Sequence, residues 1–285
     1  MHETPDASSP EVFLTPSVTS LPELQTFPPQ SSAHPPAQSP NPPLPYGKQV
    51  APWWHTLLLI IVLLGNSFAG HSRTRHAHFG AHLSAQYLFA IGFEWLTLGW
   101  VWFGLRLRRI RLRSLLGEVP GGWAAIWRDI WIALLFWIIA LTVLGVTGSL
   151  LHHTFASAHS PEKVLTALAP HTATELGLWV LVCISAGICE EFLFRGYLLR
   201  QFSSLSKRHG ESLALGVLAA SLVFGASHGY EGWATMVLLT LYGLMFCWLI
   251  LKTKRLRPAI FAHIWHDLFA GIVLASLHAS HLHMK

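Results

Sequence analysis

From residue 49 onward, apolar stretches about as long as a bilayer is thick alternate with short polar connections. No Asp, Glu, Lys or Arg occurs in residues 49–72, 130–161, 212–230 or 232–251. About 20 apolar residues rising 1.5 Å each cross the hydrocarbon core as a helix. Read this way, the pattern predicts seven helical spans, roughly 51–70, 86–105, 129–151, 175–200, 212–228, 233–251 and 258–278. The fold class expected is an all-α polytopic membrane bundle of about seven transmembrane helices. Too few residues separate Gly177 from Cys189 to complete the fourth span, so that helix must continue through Glu190 and Glu191. Both carboxyl groups are therefore expected inside the membrane.

Composition agrees with the pattern. Of the 285 residues 52% are apolar and 12% charged, and the mean hydropathy is +0.44. A soluble domain carries about 25% charged residues, so an ordinary soluble enzyme is excluded. The net charge of +5 sits in short stretches beside apolar runs rather than along one face. This is a topology signal and gives no reason to expect nucleic acid as a partner. With seven spans, one side carries Lys48, Arg106 to Arg113, Arg128, Arg200, Lys207, Arg208, Lys252, Lys254, Arg255 and Arg257, 14 basic residues, against four on the other. The bias places the amino terminus in the cytoplasm and the carboxyl terminus outside.

Residues 1–47 hold 12 of the 17 prolines, four acids and no Lys or Arg. Such a segment cannot bury enough apolar surface to offset its ordering entropy and reads as an extended tail. It lacks the basic start of a signal peptide. The expected division is a tail over 1–48, three motif-free spans over 49–172 and a chemistry-bearing part over 173–285. Cys183, Cys189 and Cys247 all fall in apolar segments without CxxC spacing, as buried free thiols would.

The fourth span reads Cys189-Glu190-Glu191-Phe-Leu-Phe-Arg195. Each ionised residue at mid-bilayer costs about 2.5–3.5 kcal/mol on the insertion scale, so compensation is required. Glu191 and Arg195 stand four apart on one helix face and are expected to form an ion pair. Glu190 points about 100° away and is free for chemistry. The fifth span ends in Phe224-Gly-Ala-Ser-His228, and the seventh carries His263, His266 and Asp267 on one turn. Alone, His228 would read as a packing residue. An acid, a histidine and a His-x-x-x-Asp face on three membrane helices instead point to convergence on a wet functional cavity.

Glu190-Glu191-x-x-x-Arg195, Phe224-x-x-x-His228 and His263-x-x-x-Asp267, in that order on successive apolar segments, resemble the signature of the CPBP intramembrane proteases. That group, also called Abi, includes the type II CAAX prenyl endopeptidases, and the resemblance covers roughly residues 175–280. It implies hydrolysis of a peptide bond in a peptide or membrane-anchored protein, within the bilayer. Glu190 would be the base that activates water and His228 its helper, with His263 and Asp267 stabilising the oxyanion. Glu191 and Arg195 would orient the helix.

The family often has Asn where Asp267 stands, and an ionised Asp cannot donate a hydrogen bond. Asp267 is thus a candidate to fix the tautomer of His263 or to bind metal. Glu190, His228, His263 and Asp267 would suit a zinc shell of nitrogen and oxygen donors, although the sequence has no HExxH. Depth raises a further difficulty. Straight helices put His228 at one membrane face and His263 near the other, so a shared site requires tilted or broken helices, with Gly229 to Gly232 dipping into the cavity. Glu94 interrupts the second span and either lines that cavity or bonds to a neighbouring helix. Histidines in the loops and at the carboxyl terminus read as solvent-exposed, Arg106 to Arg113 as a surface facing anionic lipid, and the tryptophans as interfacial anchors. The readings competing with a protease are a non-catalytic membrane scaffold on the same fold and a proton-coupled transporter. No inverted repeat supports the latter.

Overall fold

The structure is a computed structural model that describes residues 44–74, 82–154 and 168–283. Most of the proline-rich tail and several of the loop histidines lie outside them. Residues 40–285 form one compact unit. The expected boundary near 172 is thus one of motif content, since the helices on either side of it pack together.

Seven long helices make the body: α1 (Trp53–Thr74), α2 (Leu83–Leu107), α3 (Trp123–Thr154), α4 (Ala173–Glu190), α6 (His209–Ser227), α7 (Trp233–Thr253) and α8 (Arg257–His283). Beyond α4 the chain runs without a break through a π-helical segment (Glu191–Leu198) into the short α5 (Leu199–Ser203). Among the described residues six spans, not the expected seven, are long and apolar enough to cross a membrane, the longest being the continuous Ala173–Ser203; α8, where the span 258–278 was expected, is not one of them. Exposed Trp123, Trp127, Trp131, Leu135 and Ile138 cover one face of α3, as lipid-facing side chains would. Among the described residues there is no strand, only an isolated antiparallel bridge between Gly117 and Arg255.

The α4 segment is central. It packs against α2 on one side and α8 on the other, while α3 covers α7 and α8, and α1 covers α6. Its start is set locally. The Thr172 hydroxyl accepts the Glu175 N–H, and the Glu175 carboxylate accepts the Thr172 N–H, a reciprocal capping box. Polar ties hold its far end. The Gln201 side-chain oxygen accepts the backbone N–H groups of Val50 and Ala51, and Arg200 donates to the Leu44 carbonyl. The last residues of the tail, from Leu44 on, are thus bound to the body rather than free. Further along, His55 of α1 bonds both the Tyr197 hydroxyl and the Trp100 carbonyl, joining α1, α2 and the π segment.

α3 begins at Trp123, earlier than the predicted 129. Asp129 therefore lies six residues inside the helix, fully buried, and forms ion pairs with Arg255, at 2.9 Å, and Arg257. The apolar run alone hid this start, because helix α3 begins in a mixed turn that its charged residues satisfy within the bundle. Removing one partner of a buried pair costs about 3–5 kcal/mol, because an uncompensated charge remains. Asp129→Ala is expected to lose about 3 kcal/mol in unfolding of the detergent-solubilised protein, with Asp129→Asn recovering part. A melting temperature equal to wild type in both would show that the pairs contribute nothing.

Candidate active site

Glu190 is the last residue of α4 and Glu191 the first of the π segment. There the backbone bonding widens to i→i+5, with the Leu199 N–H donating to the Phe194 carbonyl. Such insertions are rare and concentrate at functional sites. One turn earlier sits Gly187, where an added Cβ would lie 2.5 Å from Ile264 Cγ1 and 3.1 Å from the Ile264 backbone N. The missing side chain lets α4 and α8 approach backbone to backbone, as small residues do between membrane helices. Ile264 adjoins His263, so this approach carries the imidazole to the two glutamates.

Glu191 Oε1 accepts from Arg195 Nη1 at 2.8 Å and lies 2.9 Å from His263 Nδ1. All three side chains are buried, Glu191 and Arg195 almost completely. The Arg195 guanidinium lies 4.2 Å from the Phe224 ring centre and 4.6 Å from that of Phe246. The rings add cation–π attraction at this buried position. Glu191 thus engages His263 Nδ1, and Nε2 faces the other two acids, 3.8 Å from Glu190 Oε2 and 3.7 Å from Asp267 Oδ2. His266 turns away toward α7, its ring centre 4.8 Å from that of Tyr242, so the polar face of α8 is narrower than its spacing implied.

His228 caps α6, where its Nδ1 lies 3.0 Å from the Phe224 carbonyl. A donated N–H there leaves Nε2 as the nitrogen not engaged by the helix. The Phe224 ring meets both imidazoles edge-on, with centroids 5.1 Å from His228 and 6.3 Å from His263. The separation expected from straight, full-length helices is therefore not found. Arg257, at the start of α8, pairs with Asp129 of α3 and also reaches the Pro120 carbonyl, which ties this end of α8 to the segment leading into α3.

Glu190 and His228 line one cavity of about 570 Å³, together with Glu94 and Tyr230. Its remaining wall is largely apolar, with Leu63, Phe89, Phe93, Leu193 and Phe194. His263 and Asp267 do not line it and stand behind Glu190 on the α8 side. The turn Gly229–Glu231 folds against α1, with Gly229 near the Ser67 hydroxyl. Burial pushes the Glu231 carboxyl above its ordinary range, opposed by the nearby His228. Among the described residues no group of three or more His, Cys, Asp or Glu is arranged to hold a metal ion. The three cysteines are buried free thiols.

Glu94, the sole charged residue between Leu83 and Leu105, lines the cavity, one of the two readings its place in the second span allowed, and comes within side-chain hydrogen-bond reach of Glu190, which spacing along the chain could not show. Tyr230 lines it as well, on the turn between Gly229 and Gly232 that was expected to dip into the cavity.

Residues 172–269 match the Rce1-like family, described as type II CAAX prenyl endopeptidase Rce1-like. The matched segment is about a third of the chain and is similar to that family, as the three motifs of the sequence are. No curated protein and no solved structure matches the chain.

The Gly187 contact is directly testable. Gly187→Ala should destabilise the protein by about 1–3 kcal/mol, the cost of overpacking a close interface. Pairing it with Ile264→Ala, which removes the nearer clash, should make the double variant more stable than the sum of the single effects. Strict additivity in unfolding measurements would show that the two helices do not meet there.

Proposed function

We propose, with the Rce1-like segment as premise, that the protein is an integral membrane endopeptidase that uses Glu190 to activate water. Its substrate is a peptide bond of a membrane-associated protein or peptide. The observation that carries this reading is that Glu190 and His228, from different helices, line one apolar-walled cavity. A carboxylate there meets few competing waters, and a positioned base contributes about 10²–10⁴-fold to rate.

In this mechanism a water between Glu190 and His228 Nε2 gives a proton to the Glu190 carboxylate as its oxygen adds to the scissile carbonyl. The carbonyl π electrons move onto oxygen. The tetrahedral intermediate then collapses, the C–N bond breaks, and the proton held by Glu190 passes to the leaving nitrogen. His228 orients the water through the nitrogen that Phe224 leaves available. His263 and Asp267 act where the carbonyl oxygen turns toward the α8 side of Glu190. There an imidazolium Nε2–H, or a protonated Asp267, donates to the oxyanion. Glu191 and Arg195 stay outside the chemistry and hold His263.

The amino terminus is proposed to face the cytoplasm. The connections after α2 and α7, and the Leu44 strap on Arg200, gather at one end of the bundle, where the Leu256 N–H donates to the Leu116 carbonyl. That end carries the basic excess.

The test compares peptide ends in membranes from cells carrying wild type, Glu190→Ala or His228→Ala, each expressed and folded equally. New carboxyl or amino ends should appear with wild type, be lost with Glu190→Ala, and fall about 10²-fold or more with His228→Ala. The same ends at the same abundance in all three would reject the mechanism.

A further inference from the structure

We infer that Glu94 is a positioning residue that, in its protonated form, donates a hydrogen bond to the Glu190 carboxylate, so that the two acids hold one proton between them. The inference rests on the reading of Glu190 as the base. Glu94 occupies the middle of α2, which packs along α4. Both carboxyl groups line the same cavity and lie within hydrogen-bond reach of each other. The register of α2 on α4 is pinned beside them, where Trp95 Nε1 donates to the Ser185 hydroxyl at 3.1 Å.

Two carboxylates in contact cannot both stay ionised in surroundings of low polarity. Which acid keeps the charge follows from the neighbours. Glu190 Oε2 has His263 Nε2 at 3.8 Å, and behind that ring stands the Arg195–Glu191 pair. The groups acting on Glu94 are the acids Glu190 and Asp267, and it in turn acts on Cys189 and Tyr230. Around Glu190 stand Glu94, Asp267, Glu231, Tyr230, Cys189, His228 and His263. In its imidazolium form His263 presents an Nε2–H to Glu190, whereas the groups acting on Glu94 are acids, so the proton belongs on Glu94. An O–H donated from α2 then aims the Glu190 carboxylate and occupies one lone pair, leaving the others for water and His228. Glu94 acts through Glu190 and needs no contact with the peptide.

The experiment uses the full chain in nanodiscs. Infrared difference spectra between wild type and Glu94→Gln at neutral pH should show one carboxylic-acid C=O stretch that the variant lacks. Cleavage of the substrate identified with wild type should persist within a few-fold in Glu94→Gln, whose amide still donates. It should fall about 10²-fold in Glu94→Ala, mostly in kcat, as when one preorganised donor is removed. Unfolding curves establish that each variant is folded, and Glu94→Gln, being isosteric, keeps the test alive if Glu94→Ala does not fold. Identical spectra for wild type and Glu94→Gln, or full activity in Glu94→Ala, would overturn the inference. Glu190→Ala separates it from the reading beneath. If the band is lost in Glu94→Gln while Glu190→Ala still cleaves, the proton-sharing pair stands and the hydrolytic role of Glu190 falls. If Glu190→Ala is inactive and Glu94→Ala is not, only the role of Glu94 falls.

Discussion

A single carboxylate oxygen organises the interior. Glu191 Oε1 meets both Arg195 and His263, and through them binds the π segment to α8. An ion pair this deep contributes little net stability by itself, since desolvating both charges offsets most of their attraction. Its consequence is geometric. Once α4 carries an arginine and a glutamate into the bundle, the bundle must close on them in one register or leave a charge uncompensated. The Phe224 and Phe246 faces flank the guanidinium. The second ring nitrogen of His263 is then aimed at Glu190 by a bond made elsewhere.

Around this pair the helices depart from uniform rods, and each departure moves a functional group. The widened backbone after Glu190 separates the ion-pairing face from the cavity face. The bare surface of Gly187 admits α8 to contact. The early end of α6 leaves His228 at a cap, held by the Phe224 carbonyl. Around the start of α8, Arg255 and Arg257 both pair with Asp129 of α3. The result is a layered arrangement: cavity, then Glu190 with Glu94 and His228, then His263 with Asp267, then the buried pair. Polarity increases inward from an apolar wall.

The basic residues divide into two populations that look alike in sequence. Arg200 and Arg255 are buried and tied to carbonyls or to Asp129, so they serve the fold. Arg106, Arg108 and Arg109 remain at the end of α2, exposed to the interface. A count of charges toward one membrane face includes both kinds. The bias survives, because the tied residues sit at the same end as the exposed ones.

Much was legible from composition and spacing because the bilayer acts on the chain locally. A run of uncharged residues must be a helix about as long as the membrane is thick, since no other span satisfies its backbone. Six of the seven spans were accordingly placed to within a few residues, except at the start of α3, while the seventh falls on a helix that is not among the six long and apolar enough to cross a membrane. The Glu191–Arg195 contact was equally readable, because four residues along one helix is a local distance. What spacing could not decide is how far each helix is set into the bundle and which of its neighbours touches it. That Glu191 holds His263, that His266 turns to Tyr242, and that Glu94 meets Glu190 all depend on side chains 72, 24 and 96 positions apart in sequence meeting through close approaches such as that at Gly187. Those distances are fixed by packing between helices, which has no period along the chain.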